Sequence, residues 1–274
     1  MFSSRRHVHP ANLRGLTAPP EQVPSVSDLE LAAFDAWPAE EVEALDGWRL
    51  RAMAGVTRRA NSAWTAETRG ARSLDERIAS VEAFYAKRGL ASQFMLSPLS
   101  PPELDLELEA RGYRIDSPVV IQIANASQIA TLEPSLPVRI EPRPSAAFLE
   151  ALVERGRFRD VSRHFHGLLR RLDGRANYAV VTLEGGVAGA AFGVLAGDVY
   201  GVFGMLTLPE FRRRGVASAI ALGLSREAVA RGARFVYLQV ERDNVAALAL
   251  YAELGFRDVY GYHYRVAEAR DGSP

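Results

Sequence analysis

Cysteine is absent from the 274 residues, which excludes disulfides, thiolate metal sites and a cysteine nucleophile, and suits a reducing compartment. Lysine is nearly absent as well: Lys87 stands beside thirty-two arginines, a skew that reads as codon bias in a GC-rich genome. Neither sign of charge is in excess, with 33 basic and 33 acidic residues, so the broad positive field that sequence-independent nucleic-acid or anionic-membrane binding needs is missing. A local basic patch stays open. Long apolar runs are missing too: the most apolar stretch, Gly185 to Gly197, has thirteen residues, five of them glycine, against the roughly 20 apolar residues of a spanning helix. The first twenty residues hold no acid and no apolar signal core, only Arg5, Arg6 and Arg14 as charges. We therefore expect a disordered tail over 1–25, a cytoplasmic location, and neither a nucleic-acid nor a membrane partner.

What is present fits a folded α/β chain, with 48% hydrophobic residues and a length suited to one large domain or two small ones. The patterning predicts helices over Ser27–Ala36, from Ser73 to Gly89, over Glu103–Arg111, Ala146–Arg155, Val161–Leu172, Arg212–Ala230 and Val245–Leu254. It predicts strands over Gly47–Ala54, Phe94–Leu96, an alternating Val119–Ala124, a Tyr178–Leu183 and Val187–Leu195 hairpin around Glu184-Gly185-Gly186, then Val199–Leu206, Phe235–Glu241 and a terminal pair. The proline-rich Glu133–Pro144 reads as a linker leading into a strand. The two halves share a rhythm. Arg88-Gly89 followed by Arg111-Gly112-Tyr113 matches Arg231-Gly232 followed by Leu254-Gly255-Phe256, 143 residues further on, with the same 23-residue interval between glycines. That is the layout of a duplicated unit.

One segment carries chemistry. Pro209-Glu210-Phe211-Arg212-Arg213-Arg214-Gly215-Val216-Ala217 joins an apolar strand to a long amphipathic helix. Three arginines in a first helical turn conflict with the partial positive charge of a helix N-terminus, and a bound polyanion removes the conflict. The plainer reading is a solvated basic cap. A second segment places Asn244, Ala247, Leu248 and Tyr251 on one helical face. Taken alone, Asn244 reads as an N-cap and Tyr251 as a packed aromatic.

Together the two segments resemble the GCN5-related N-acetyltransferase (GNAT) superfamily. Its acetyl-CoA signature is met by Arg212, Gly215 and Ala217, and its second motif by Asn244, Ala247, Tyr251 and Leu254-Gly255-Phe256; the resemblance covers Val138 to Val266. It implies a mixed central sheet flanked by helices, with parallel strands Val199–Leu206 and Phe235–Glu241 splayed to admit pantetheine. It further implies that Met205, Leu206 and Thr207 bind pantetheine through main-chain groups, that Arg212, Arg213, Arg214, Gly215, Val216, Ala217 and Ser218 hold the pyrophosphate, and that Asn244, Ala247 and Tyr251 line the coenzyme. Tyr251 is then the acid that protonates the leaving thiolate, a task open to a phenol of pKa about 10. The chain departs from the family at the base. Ribosomal-protein acetyltransferases of the superfamily place a Glu five residues before the motif Asn, where Gln239 stands here. Strand alternation puts Tyr237, Gln239 and Glu241 on one face, so Glu241 can act through a water, although a plain charged strand end fits it as well. His164, His166, Glu184 and His263 are weaker candidates.

Shifted back by 143, the signature falls on Arg69 to Leu74, with Arg72 opposite Gly215, Leu74 opposite Ala217, Pro101 opposite Asn244 and Leu108 opposite Tyr251. The first half is accordingly expected to be a catalytically silent GNAT-like copy that walls the acceptor cleft. Arg58, Arg59, Asn61 and Trp64 are placed to touch the acceptor together with Gln239; a solvated loop with one anchoring tryptophan is the alternative. The expectation is thus two tandem copies, 26–130 silent and 138–268 catalytic, joined by a linker over 131–137. The activity is acetyl-CoA-dependent transfer to a primary amine of a small molecule or peptide, without metal, in a monomer or weak dimer. The other reading is a non-catalytic acyl-CoA sensor.

Overall fold

The computed structural model describes residues 23–66 and 70–267. Most of the expected tail lies outside them, as does Arg69. In the first half come α1 (Val26–Ala36), β1 (Glu41–Leu45), β2 (Trp48–Ala52), β3 (Ala63–Trp64), α2 (Leu74–Ala86), β4 (Gln93–Leu96), α3 (Leu104–Ala110), β5 (Arg114–Asn125) and α4 (Ala126–Ala130). In the second come β6 (Arg139–Glu141), α5 (Ala146–Leu149) running into a π-helical turn (Glu150–Glu154), α6 (Ser162–Arg171), β7 (Ala176–Leu183), β8 (Gly186–Ala196) and β9 (Val199–Thr207). The chain closes with α7 (Val216–Ala230), β10 (Phe235–Glu241), α8 (Val245–Glu253) and β11 (Arg257–Val266).

Local chemistry sets the helix starts. The Ser25 hydroxyl accepts from the Asp28 amide at 3.2 Å while the Asp28 carboxylate accepts from the Ser25 amide, so α1 is anchored at a residue the sequence places in the tail. Ser73 and Glu76 form the same reciprocal cap on α2. β1 went unpredicted because four of its five residues are exposed, leaving no buried face to mark it. The alternation expected at Val119–Ala124 is replaced by six consecutive buried residues, as in a central strand covered on both faces.

All strands form one sheet in the order β1-β2-β3-β4-β11-β5-β10-β9-β8-β7-β6. Among the described residues only β3–β4 and β9–β10 pair in parallel. The halves interlock: β5 inserts between β10 and β11, and β11 inserts between β4 and β5. The expected terminal strand pair is therefore one long strand whose partners come from the first half. Within a few residues, α2, β4, α3 and β5 are followed 143 positions later by α7, β10, α8 and β11. The larger core also crosses the halves. Trp37, just past α1, lies 5.5 Å from the Phe192 ring and 5.6 Å from Phe203, and α1 packs on β8 and β9. Phe192 is fully buried, so its truncation to alanine would cost about 3–5 kcal/mol. A smaller core of Trp48, Ile78, Phe84, Phe94, Leu108 and Tyr113 lies under α2.

Two irregularities shape the middle of the sheet. Pairing of β9 with β10 runs from Val199/Phe235 to Val202/Leu238 and stops, so the strands part beyond it. The β8–β9 register slips between Ala190/Leu206 and Phe192/Phe203, a bulge that contains Gly204 at φ +64°. Past Val202, β9 thus turns main-chain groups toward a gap in the sheet.

Candidate active site

That gap opens into a cleft of about 390 Å³. One wall is the parted strands, with Phe203, Gly204 and Met205 facing Leu238 to Glu241. Asn244, Ala247 and Tyr251 of α8 form a second wall. The first half supplies the rest: Val56 to Arg59 from the loop after β2, and Ser117 and Val119 of β5. Both faces of β10 reach the cleft at its end, because its β9 edge has no partner there.

Tyr251 is buried in this wall, with its ring 5.7 Å from Phe256 in an edge-on contact. Burial pushes its pKa up to about 12, which keeps the hydroxyl protonated at neutral pH. Asn244 caps α8, accepting from the Ala247 amide at 3.2 Å, so the capping role expected of an isolated asparagine is fulfilled at the cleft wall. Met205 lines the cleft; Leu206 and Thr207 continue the parted strand beyond it.

The arginine loop differs from its expected form. The helix starts at Val216 rather than Arg212. Arg212 is extended and Arg213 adopts φ +61°, a left-handed conformation that costs a non-glycine residue roughly 1–2 kcal/mol. The arginines thus precede the first turn. Gly215 is the N-cap at φ +79°, with no side-chain cap, and a Cβ there would lie 2.8 Å from the Ser135 hydroxyl oxygen. Arg214 pairs with Glu184 at 2.7 Å, and Val216 is buried, which leaves it only a main-chain role toward a ligand. Ala217 and Ser218 are half-buried in the first turn. A helix N-terminus without a protein acceptor, entered through a glycine and flanked by guanidiniums, suits a pyrophosphate. The parted β9 edge suits an extended amide-bearing arm.

At the position of the missing base, the Gln239 carbonyl oxygen accepts from Arg59 Nε at 2.6 Å and from the Tyr262 hydroxyl at 2.9 Å. Glu241 lies exposed at the end of β10 and also lines the cleft. Arg58 lines it too and pairs with Asp116. Two expected acceptor contacts are elsewhere. Asn61 is buried and fully used in closing its own loop, accepting from the Met53 and Gly55 amides at 2.8 and 3.1 Å and donating to the Thr57 carbonyl at 2.7 Å. The Trp64 indole donates to Glu30, with Arg49 over its ring. Neither side chain lines the cleft. Of the weaker bases, His164 bonds Glu40, His263 bonds Asp105 and Glu184 holds Arg214; these three and His166 are all outside the cleft lining. Arg157, Phe203 and Tyr262 line the cleft and were not predicted. Arg157 belongs to an irregular loop more than fifty residues before the first motif, where no periodicity could single it out.

Among the described residues no group of three His, Asp or Glu side chains could hold a metal, and no helix is long and apolar enough to cross a membrane. A mixed sheet with two parted parallel strands, a bulge at the parting and a glycine-entered helix beside it is the GNAT acetyltransferase fold. Solved structures share it: a GCN5-related N-acetyltransferase from Kribbella flavida (14% identity, TM-score 0.61, 89% of this chain and 94% of that one) and a tandem GNAT protein of the clavulanic acid biosynthesis pathway (15%, 0.62, 93% and 92%). The chain belongs to the family described as "Probable histone acetyltransferase Rv0428c C-terminal", whose model matches residues 24–265. It is also 27% identical over 249 residues to a protein of Bacillus subtilis called "Uncharacterized N-acetyltransferase YobR", spanning 88% of this chain and 98% of that protein.

Proposed function

We propose that the cleft transfers an acetyl group directly from acetyl-CoA to a primary amine of a small molecule or peptide. The observation that carries this reading is the parting of β9 from β10 beyond Val202/Leu238, in a cleft that a buried, protonated Tyr251 also lines. Acetyl-CoA supplies the acyl group as a thioester. Gly215, Ala217 and Ser218 offer main-chain N–H groups to its pyrophosphate, with Arg212 and Arg213 beside them; main-chain groups of Met205, Leu206 and Thr207 hold the arm and polarise the carbonyl. Glu241, through a water, takes one proton from the acceptor ammonium, and the freed amine forms the C–N bond. The C–S bond breaks, and Tyr251 gives its proton to the departing thiolate. Glu241 passes its proton to solvent, the second amine proton leaves to solvent and Tyr251 is reprotonated from solvent, so amide, coenzyme A and one proton balance the reaction.

We infer further that the chain is a tandem pair, a silent unit over 26–130 and a catalytic one over 138–268. The recurrence of α2, β4, α3 and β5 as α7, β10, α8 and β11 supports this, as does the mutual insertion of β5 and β11. Such an exchange gives one chain the interface of a dimer, which favours a monomer. The other reading, a sensor that binds the coenzyme without turnover, rests on Gln239 alone. The test is thermal: acetyl-CoA should raise the melting temperature, and free coenzyme A should appear when an amine panel is added. If neither happens, the reading fails.

A further inference from the structure

The chain is neutral, yet its cleft is not. Of the charged side chains lining it, Arg58, Arg59 and Arg157 are basic and only Glu241 is acidic. Arg58 is neutralised by Asp116. Arg59 is fixed but not neutralised: Nε donates to Gln239 and the guanidinium plane lies 5.2 Å from the Trp37 ring and 5.5 Å from Phe203, while its Nη groups make no hydrogen bond among the described residues. Arg157 is fixed by less. Its guanidinium lies 5.1 Å from the Phe158 ring and, among the described residues, takes part in no hydrogen bond or ion pair. Arg157 is exposed as a residue and lines the cleft. Burial foremost, then the like charge of Arg59, holds its pKa below the ordinary arginine value, with Glu241 pulling the other way. Two guanidiniums lining one cleft, with Glu241 the one carboxylate beside them, are an unfavourable arrangement for the protein alone. An anion between them reverses the sign of the interaction.

We propose that Arg59 and Arg157 bind the anionic group of the acceptor, so that the substrate is a small primary amine carrying a carboxylate or phosphate, of the amino-acid class. This rests on the acetyltransferase reading above and names its substrate class. The cleft holds about 390 Å³, enough for a thioester end and a small zwitterion. The same charges address the missing base at Gln239: two guanidiniums near the amine favour its neutral form, so a glutamate there is less needed and Glu241 with water suffices. A polycationic acceptor, such as a polyamine or lysine-rich peptide, is repelled.

The experiment uses the full chain, acetyl-CoA and matched pairs: glycine against glycinamide, glutamate against its diester, phosphoethanolamine against ethanolamine, with spermidine and a lysine-rich peptide as cations. We expect kcat/KM for the anionic member to exceed its neutral partner by about tenfold to a hundredfold, the size of one or two charge-assisted hydrogen bonds. Preference for carboxylates or for phosphoethanolamine identifies which anion is meant, and either supports the proposal. Arg157→Gln should erase most of that acid-to-neutral ratio through KM, and Arg157→Lys should restore part of it. Calorimetric titration of acetate and phosphate into coenzyme-saturated protein gives a readout free of turnover: binding to the wild type that Arg157→Gln loses supports the anion site even if no amine is acetylated, in which case only the transferase reading falls. Equal rates for acid and neutral partners, a ratio untouched by Arg157→Gln, or best activity on spermidine or the lysine-rich peptide overturns it.

Discussion

Helix α2 of the first half and helix α7 of the second occupy corresponding places, yet they begin in opposite ways. α2 caps itself: the Ser73 hydroxyl and the Glu76 carboxylate satisfy each other's amides, and hydrogen bonds from Ser73 lower the Glu76 pKa. α7 starts at a left-handed glycine with no side-chain cap, behind three arginines. The neighbouring parallel strands differ in the same sense. Where β9 and β10 part, the corresponding end of β3 is sewn to β4, with the Thr65 hydroxyl 2.8 Å from the Met95 carbonyl and 2.7 Å from Ser100. One unit meets its polar needs from within; the other leaves main-chain groups and charges that a ligand can meet. The gap between β9 and β10 thus has no counterpart in the first half, where β3 is closed against β4.

That contrast can be broken most severely at Gly215. Gly215→Glu introduces a side chain at φ +79° and puts a carboxylate where the pyrophosphate should sit, so acetyl-CoA affinity should fall more than about a hundredfold by calorimetry, with Gly215→Ala as a milder control. Retained affinity would show that α7 is not the coenzyme helix. Next in size is Tyr251→Phe, which should lower kcat about a hundredfold while leaving KM for acetyl-CoA near its original value; an unchanged kcat assigns the proton to another group. Thr65→Val tests the closed side. It removes both stitching bonds from a fully buried site and should cost about 1–3 kcal/mol in denaturant unfolding, with kcat unchanged. If turnover fell instead, the first half would not be silent. The smallest effect is a flat pH profile. Burial raises the Tyr251 phenol from about 10 to about 12, so its acid form, and the stability tied to it, persists below about pH 10 and fades only as pH climbs through 12. A decline in kcat from Tyr251 titrating near neutrality would contradict its burial.

The legible parts of the molecule are those with local signals. Helices α2, α7 and α8 and strands β4, β9 and β10 were predicted to within a few residues because apolar spacing, serine and asparagine caps and glycine stops all act over one or two turns. Motif singled out Gly215, Asn244 and Tyr251, which the fold places at the α7 N-cap and on the cleft wall, and the substitution at Gln239 was visible for the same reason. The start of α7 was misplaced because a run of arginines looks helical until the left-handed φ of Arg213 is known. Asn61 and Trp64 were placed at the acceptor because they lie near the position equivalent to the end of the active strand; in the fold their polar atoms are consumed by Met53, Gly55, Thr57 and Glu30.

By itself the sequence determined which half bears coenzyme motifs, that no cysteine chemistry is available, and the rhythm of helix, glycine and strand in both halves. Tertiary structure decided the rest. Sheet order depends on long-range pairing, so nothing local announces that β5 and β11 change places, or that α1 lies over β8 and β9. It also decided the lining of the cleft, where Arg59 and Arg157, almost a hundred residues apart in sequence, come within each other's field. Electrostatic interaction depends on distance in space, and only the folded chain sets that distance.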